Sequence, residues 1–208
     1  MRTLAIAAIV IVALAGPLRG QSEEPVSTVD AVRHELLQLP YYSVFDFLAF
    51  TYRNGTVTLM GYASTPTLRI DAERAVKRAP GVDAVVDDIA VLPISLTDDD
   101  LRWNLYYVIY RDPLLLHYSP GGGVLWGHRH TFPAARLLAY GPVRFLGTEP
   151  AGDYPVHIVV DSGRVTLLGV VDSESDKARA GALAISTAGA SRVENELTVD
   201  APIRETDR

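Results

Sequence analysis

Histidines are the best candidates for metal binding in this chain, because three of the five lie between positions 117 and 130. His128 and His130 are two positions apart and could give two ligands to zinc, which proteins hold through nitrogen, sulfur or carboxylate donors. However, the chain has no cysteine, and the next acids along it, Glu149 and Asp153, are distant in sequence. We therefore interpret these histidines as solvated loop residues and expect no metal site and no cofactor.

Catalysis by a nucleophile needs an activated side chain at a recognisable turn, and no Gly-x-Ser-x-Gly motif is present. The three glycines at 121–123 are not followed by Lys-Ser or Lys-Thr, so they do not form a phosphate-binding loop. Two acidic runs, at 87–88 and 98–100, are interpreted as a strand edge and a helix cap. The sequence therefore predicts no catalytic residues, and a hydrolase is only a weak alternative.

A helix predicted from about Leu101 to Tyr110 carries the best candidate binding surface. At helical spacing one side of it resembles a core face, made of Leu101, Leu105, Val108 and Ile109. The opposite side is aromatic and is flanked by two arginines that could meet lipid phosphates: Trp103, Tyr106, Tyr107, Tyr110, Arg102 and Arg111. Trp and Tyr suit a membrane interface because an apolar ring carries a polar tip. The alternative is that another part of the chain covers these rings.

Composition limits the class of partner and the cellular compartment. The formal net charge of −6 argues against nucleic acid, which binds basic surfaces. A positive start and a short apolar block from Leu4 to Ala15 predict a cleaved signal peptide over 1–20, with a flexible leader over 21–26. An uncleaved N-terminal anchor is the alternative. We expect a periplasmic or secreted protein that lacks both disulfides and a lipid-modified cysteine.

A short run that occurs twice organises the rest of the chain. Residues 54–61 return as 162–169, and the offset of 108 positions continues without a gap into the following helix and strand. Asn54-Gly55 and Ser162-Gly163 are predicted hairpin turns, and a glycine late in each following strand indicates close backbone approach, with the next helix as the expected neighbour. A self-match of this length indicates one structural unit built twice.

Each repeat is predicted to be an α+β unit in the order helix, strand, strand, helix, strand, with a three-stranded mixed sheet packed by two helices. The first domain covers 27–95, with helices opened by Ser27 and Thr65 and a first strand from Val44 to Tyr52. The second covers 97–202 and opens with the acidic cap at 97–100. It carries about 39 extra residues, an insert near 114–153, before a tail at 203–208. This basic and apolar insert could touch a membrane or partner, or be packed or disordered.

The repeated unit resembles the BON domain (bacterial OsmY and nodulation). The x-Gly-x-Val-x-Leu-x-Gly strand, the Ala-rich helix and a Gly-Val-x-x-Val ending at Gly81 carry the likeness, although Ala190 stands where the second ending usually has valine. The family's glycines map onto structural positions in both units: Gly55, Gly61, Gly81, Gly163, Gly169 and Gly189.

The resemblance implies a non-enzymatic envelope protein that attaches to phospholipid membrane surfaces and supports envelope integrity or the response to osmotic stress. A protein–protein adaptor in the cell envelope, pairing its units or sheet edges with a partner, is the alternative.

Overall fold

The computed structural model describes residues 27–119 and 154–200, and the predicted α+β architecture with two mixed sheets is confirmed. The first unit comprises α1 (Thr28–Leu37), β1 (Phe47–Arg53), β2 (Thr56–Ala63), α2 (Pro66–Val76) and β3 (Ala84–Val91). The second comprises α3 (Leu96–Tyr110), a short 3-10 helix (Leu116–Tyr118), β4 (Val156–Asp161), β5 (Arg164–Val171), α4 (Glu174–Ser186), β6 (Arg192–Asn195) and β7 (Thr198–Val199).

The two sheets have the same topology and the same register. In each, the first two strands are antiparallel, and the second strand is parallel to its partner from the segment after the second helix, which is β3 in one unit and β6 with β7 in the other. Phe50 lies opposite Leu59 in the first unit, and Ile158 lies opposite Leu167 in the second. Both pairs are separated by the 108-position offset, so the predicted duplication holds at the level of strand register.

The backbone conformation repeats as well. Asn54 and Gly55 have φ values of 48° and 79°, and Ser162 and Gly163 have 54° and 76°, as two-residue hairpin turns require. All six glycines that the sequence marked as structural have positive φ.

The close approach at Gly61 and Gly169 comes from a neighbouring strand, not from the following helix as expected. A Cβ built on Gly61 would lie 2.0 Å from the carbonyl oxygen of Phe47, and one on Gly169 would lie 2.1 Å from that of Pro155. Real Cβ atoms do not come this close to backbone atoms, so neither position has room for a side chain.

Local capping signals placed the starts of α1 and α2. Ser27 and Thr65 accept hydrogen bonds from backbone amides in the first turns of α1 and α2, as predicted. The expected start of α3 is wrong, because this helix begins at Leu96 with Ser95 as its cap. Asp98, expected to cap it, is buried and instead accepts hydrogen bonds from the amides of the second hairpin turn.

The first strand begins three residues later than its aromatic and β-branched pattern predicts. Ser43 to Asp46 form a tight turn, in which the Asp46 amide donates to the Ser43 carbonyl at 3.1 Å. The fully buried carboxylate of Asp46 accepts from the amide and hydroxyl of Ser43 and from the amide of Ser64. These bonds turn the chain, so that Val44 and Phe45 leave the sheet of the first unit.

Each unit has its own apolar core, and the first unit also contributes residues to the core of the second. Residues that recur at helical spacing in α2 and just after it belong to the first core: Leu68, Ala72, Ala75, Val76 and Ala79. Val44 and Phe45 belong to the second core, where they pack with residues of α3, β4 and β5. The first unit therefore supplies two side chains to the interior of the second.

The last strand of the second unit is split into β6 and β7, and Asn195 lies at the break. Its amide nitrogen donates to the carbonyl of Lys177 on α4, and its Oδ1 accepts from the Leu197 amide. At the matching place in the first unit, Asp87 accepts from Arg69 on α2 and from the Ile89 amide. The same strand-to-helix contact is thus made with different side chains.

Only the first residues of the insert belong to the part of the chain that the structure describes. Leu115 and Tyr118 are buried in the second core, so the insert begins as packed structure. Several predictions lie outside the described residues: the signal peptide at 1–20, the leader at 21–26, the remaining insert with His128 and His130, and the tail at 203–208.

Candidate functional site

The candidate surface on α3 is smaller than the sequence suggested. Arg102, Tyr106 and Tyr110 lie in the core instead of on the expected exposed face. Val108, expected in the core, is 38% exposed. The physical reason is that α3 packs against its own sheet, against α4 and against the turn from the first unit, so the buried arc covers more of the helix.

Arg102 and Tyr110 hold α3 against β4. Arg102 donates from Nη2 to the Val160 carbonyl at 2.7 Å and also forms an ion pair with Asp99. The Tyr110 hydroxyl donates to the Val156 carbonyl and accepts from the Val156 amide. Both polar groups are therefore engaged with the backbone of the sheet.

Tyr106 lies at the centre of an aromatic cluster between the units. Its ring centroid is 5.1 Å from that of Tyr110, 6.4 Å from Tyr154 and 6.3 Å from Phe45 of the first unit. Burial raises the pKa of Tyr106 above its usual range. The predicted alternative, that another part of the chain covers the rings, holds for this part of the helix.

Trp103, Tyr107 and Arg111 remain accessible, and we call them the α3 strip. They are four residues apart and therefore follow one line along the helix. Trp103 and Tyr107 are half-buried with ring centroids 6.0 Å apart, and the exposed guanidinium of Arg111 lies 5.0 Å from the Tyr107 centroid. Such a line presents apolar rings with polar tips next to a positive charge.

The junction between the units is made by residues that the sequence did not single out. The Ile158 amide at the outer edge of β4 donates to the Val44 carbonyl at 2.8 Å. Buried His157 forms a 3.3 Å hydrogen bond with the Tyr42 hydroxyl, and its ring packs against Phe47. No local signal could reveal the Tyr42–His157 contact, because 115 positions separate the partners.

The start of the insert is fixed to the cap of α4 through one hydroxyl. Tyr118 donates to Asp176 at 2.9 Å and accepts from the Asp172 amide at 2.7 Å. His117 Nε2 lies 3.5 Å from an Asp172 oxygen. Burial raises the pKa of Tyr118 to about 12, so the hydroxyl remains protonated and can donate at neutral pH.

An ion pair links the C-terminal end of α3 to α4. Arg179 of α4 donates to Asp112 from two nitrogens, at 3.0 and 2.5 Å, and the Leu114 amide donates to the same carboxylate. The hydrogen bonds from Arg179, with the Leu114 and Leu115 amides, hold the pKa of Asp112 below its usual range.

We expect this pair to make stability depend on pH in acid. Because folding lowers the pKa of Asp112, its contribution is complete above the unfolded pKa of about 4 and is lost as pH falls through the lower folded value. The wild type should therefore exceed Asp112→Asn in stability at pH 7, and the gap should narrow towards pH 3. Urea unfolding of both proteins across this range measures it, and a constant gap would contradict the assignment.

Clusters of metal-binding side chains are absent from residues 27–119 and 154–200, where no three His, Asp or Glu come together as candidate ligands. Within the same two ranges, no helix has the length and apolar character needed to cross a membrane.

Two solved structures of CdsD, a structural protein of the type III secretion system of Chlamydia trachomatis, are similar to this chain. The first, of its C-terminal domain, is 16% identical, covers 86% of this chain and 100% of its own, and has a TM-score of 0.27. The second is 17% identical, covers 83% and 91%, and has a TM-score of 0.25.

No curated protein matches the chain. The family model described as the BON domain matches residues 30–93 and 147–201, which together exceed half of the sequence. The chain therefore belongs to the BON domain family and carries two copies of the domain.

Proposed function

We propose that this protein binds phospholipid membrane surfaces through the α3 strip. The observation that carries the proposal is the line of Trp103, Tyr107 and Arg111, which stays accessible on a helix whose Leu101, Leu105 and Ile109 face is buried in the core. Aromatic rings with polar tips favour the headgroup region of a bilayer, and an adjacent guanidinium can donate to a phosphate. Membership of the BON family supports this proposal.

The charge distribution indicates that the aromatic rings, and not the net charge, would drive membrane binding. The chain has a net charge of −6, and Asp99 and Asp100 lie near the first turn of the same helix. Bulk attraction to anionic lipid is therefore weak, because the protein and the surface have the same sign. Binding depends on the rings, with Arg111 adding a local contact, and Arg102 does not contribute because it is buried.

We place this activity in the cell envelope and assign the protein a binding role, not a catalytic one. The apolar N-terminal block supports export, and the family supports a non-enzymatic module. The binding would support envelope integrity or the response to osmotic stress. Extracting the protein from the source cell by osmotic shock tests the location, and recovery in the cytosolic fraction would contradict it.

We expect the double variant Tyr107→Ser, Arg111→Gln to bind vesicles less well than the wild type. The loss of the arginine alone should lower partitioning into anionic vesicles by about fivefold, since each Lys or Arg near such a surface contributes about 1 kcal/mol. Loss of the Tyr107 ring should weaken binding to zwitterionic vesicles as well. Flotation of the purified protein with each vesicle type measures both effects.

The matched control is Ile185→Ser, which removes a side chain that is 71% exposed on α4 and should leave partitioning unchanged. Trp103→Ser is a less suitable variant, because the Trp103 ring also packs edge-on against Phe45 at 5.4 Å. Equal flotation of the double variant and wild type would refute the proposal, as would the absence of wild-type binding to both vesicle types.

A further inference from the structure

An open apolar cleft lies between α1 and β1 of the first unit. It has a volume of about 360 Å³ and is lined by eight apolar or aromatic residues and one arginine. The side chains of Leu37 and Val29 at its rim are 39% and 36% exposed, and Phe50 within it is half-buried. Apolar surface of this kind in a concave site favours a ligand that can fill it.

The corresponding cleft of the second unit, between α3 and β4, is filled. Val44 and Phe45 from the first unit occupy it, with the Phe45 ring packed edge-on against Trp103 and Tyr106. The Val44 carbonyl accepts a hydrogen bond from the Ile158 amide at the outer edge of β4. The filled cleft of the second unit therefore shows that a site of this kind can bind an apolar residue followed by an aromatic one.

The strand that lines the filled cleft is more deeply buried than the strand that lines the open one. The core-facing residues of β4, Val156, Ile158 and Val160, are at most 1% exposed. Their counterparts 108 positions earlier, Leu48, Phe50 and Tyr52, are only partly buried.

The open cleft also offers an unpaired backbone edge. Phe50 has the same register in β1 that Ile158 has in β4, so its amide also points to the outer edge of the sheet. Among the described residues, the only strand that pairs with β1 is β2. Because an exposed strand edge is a template for an added chain segment, the cleft can provide a backbone hydrogen bond as well as an apolar pocket.

We propose that this cleft binds a polypeptide segment of a partner protein. The segment presents an apolar residue followed by an aromatic one in a tight turn, and its carbonyl accepts from the Phe50 amide. This site differs from the α3 strip and needs no lipid.

A second copy of this chain is a poor occupant. Its Val44 and Phe45 are already buried in its own second unit. The residues 108 positions further on are Gly152 and Asp153, which have no apolar side chain to insert. A second copy therefore cannot donate Val44 and Phe45 or their counterparts, and the occupant in this proposal is a different protein.

A peptide copied from this chain can be used to test binding in the cleft. A blocked peptide of residues 40–47, which contains Val44 and Phe45, should bind the full-length protein and shift the amide resonances of Leu37, Leu48 and Phe50. The same peptide carrying Phe45→Ser should bind about tenfold more weakly, because a buried aromatic anchor provides most of the contact. Absence of shifts at millimolar peptide, or shifts confined to the second unit, would overturn the proposal.

A matched pair of variants locates the site on the protein. Leu37→Glu places a charge at the rim of the cleft and should abolish peptide binding. Ile70→Glu changes a residue on α2 that is 51% exposed, and should leave binding unchanged. Both should keep the wild-type melting temperature. Equal peptide affinity in the two variants would contradict the assignment, and so would loss of vesicle flotation in Leu37→Glu alone, which would assign the cleft to lipid.

Discussion

Replacing Gly169 with alanine should lower the free energy of unfolding by roughly 3 kcal/mol or more. The φ of this residue is 123°, a conformation that alanine adopts only with strain, and its Cβ would meet the Pro155 carbonyl oxygen at 2.1 Å. The edge strand β4 would have to move away. Because the duplicated residue Gly61 has the same environment, Gly61→Ala should cost a similar amount. Urea unfolding measures both.

Gly189→Ala separates the cost of the positive φ from the cost of the clash with a neighbouring strand. This residue also has a positive φ of 100°, but its built Cβ meets only a Leu101 methyl at 3.7 Å. The variant carries the backbone strain without the clash and should cost about 1 to 2 kcal/mol. If Gly169→Ala lowered the free energy of unfolding by no more than Gly189→Ala does, the clash with the Pro155 carbonyl would not contribute to the loss of stability.

Phe45→Ala should destabilise the second unit by about 3 to 4 kcal/mol, although Phe45 belongs in sequence to the first. Its side chain is 2% exposed and lies in the second core against Trp103 and Tyr106. Removing the ring leaves a cavity between α3 and the turn. Hydrogen exchange of β4 and β5 amides should therefore accelerate more than that of β2 and β3.

Tyr41→Ala is the control for this experiment. Tyr41 lies in the same connection between α1 and β1 but is 62% exposed, so its loss should change stability by no more than about 0.5 kcal/mol. Equal acceleration in both units of Phe45→Ala would mean that the ring does not belong to the second core.

The sequence predicted those parts of the fold that depend on local signals. Asn54-Gly55 requires a hairpin whatever lies around it, and Thr65-Pro66 opens a helix through its own hydroxyl and fixed φ. The spacing of Leu68 and Ala72 then identifies the buried face of α2. Ser162-Gly163, Ser173 and Ala180 repeat the turn, the capping hydroxyl and one buried helix position 108 residues later, so the duplication is apparent in the sequence itself.

The sequence could not predict the features that depend on contacts between the units. Val44 and Phe45 continue an aromatic and β-branched run that is typical of a strand. Only the hydrogen bonds that Asp46 accepts from Ser43 and Ser64 turn them away. In the same way, the periodicity of α3 separates two faces, but it does not show that Phe45 covers part of the aromatic one. The surface predicted on α3 therefore included three residues that are buried, Arg102, Tyr106 and Tyr110.

Amide hydrogen exchange at Ile158 and Phe50 is the measurement that tests most directly how the two copies are joined. These residues share one register position, but only Ile158 is bonded to the turn from the other copy. The amide of Ile158 should exchange only when the second unit unfolds, whereas the edge amide of Phe50 should exchange orders of magnitude faster. Similar rates at the two positions would contradict the account.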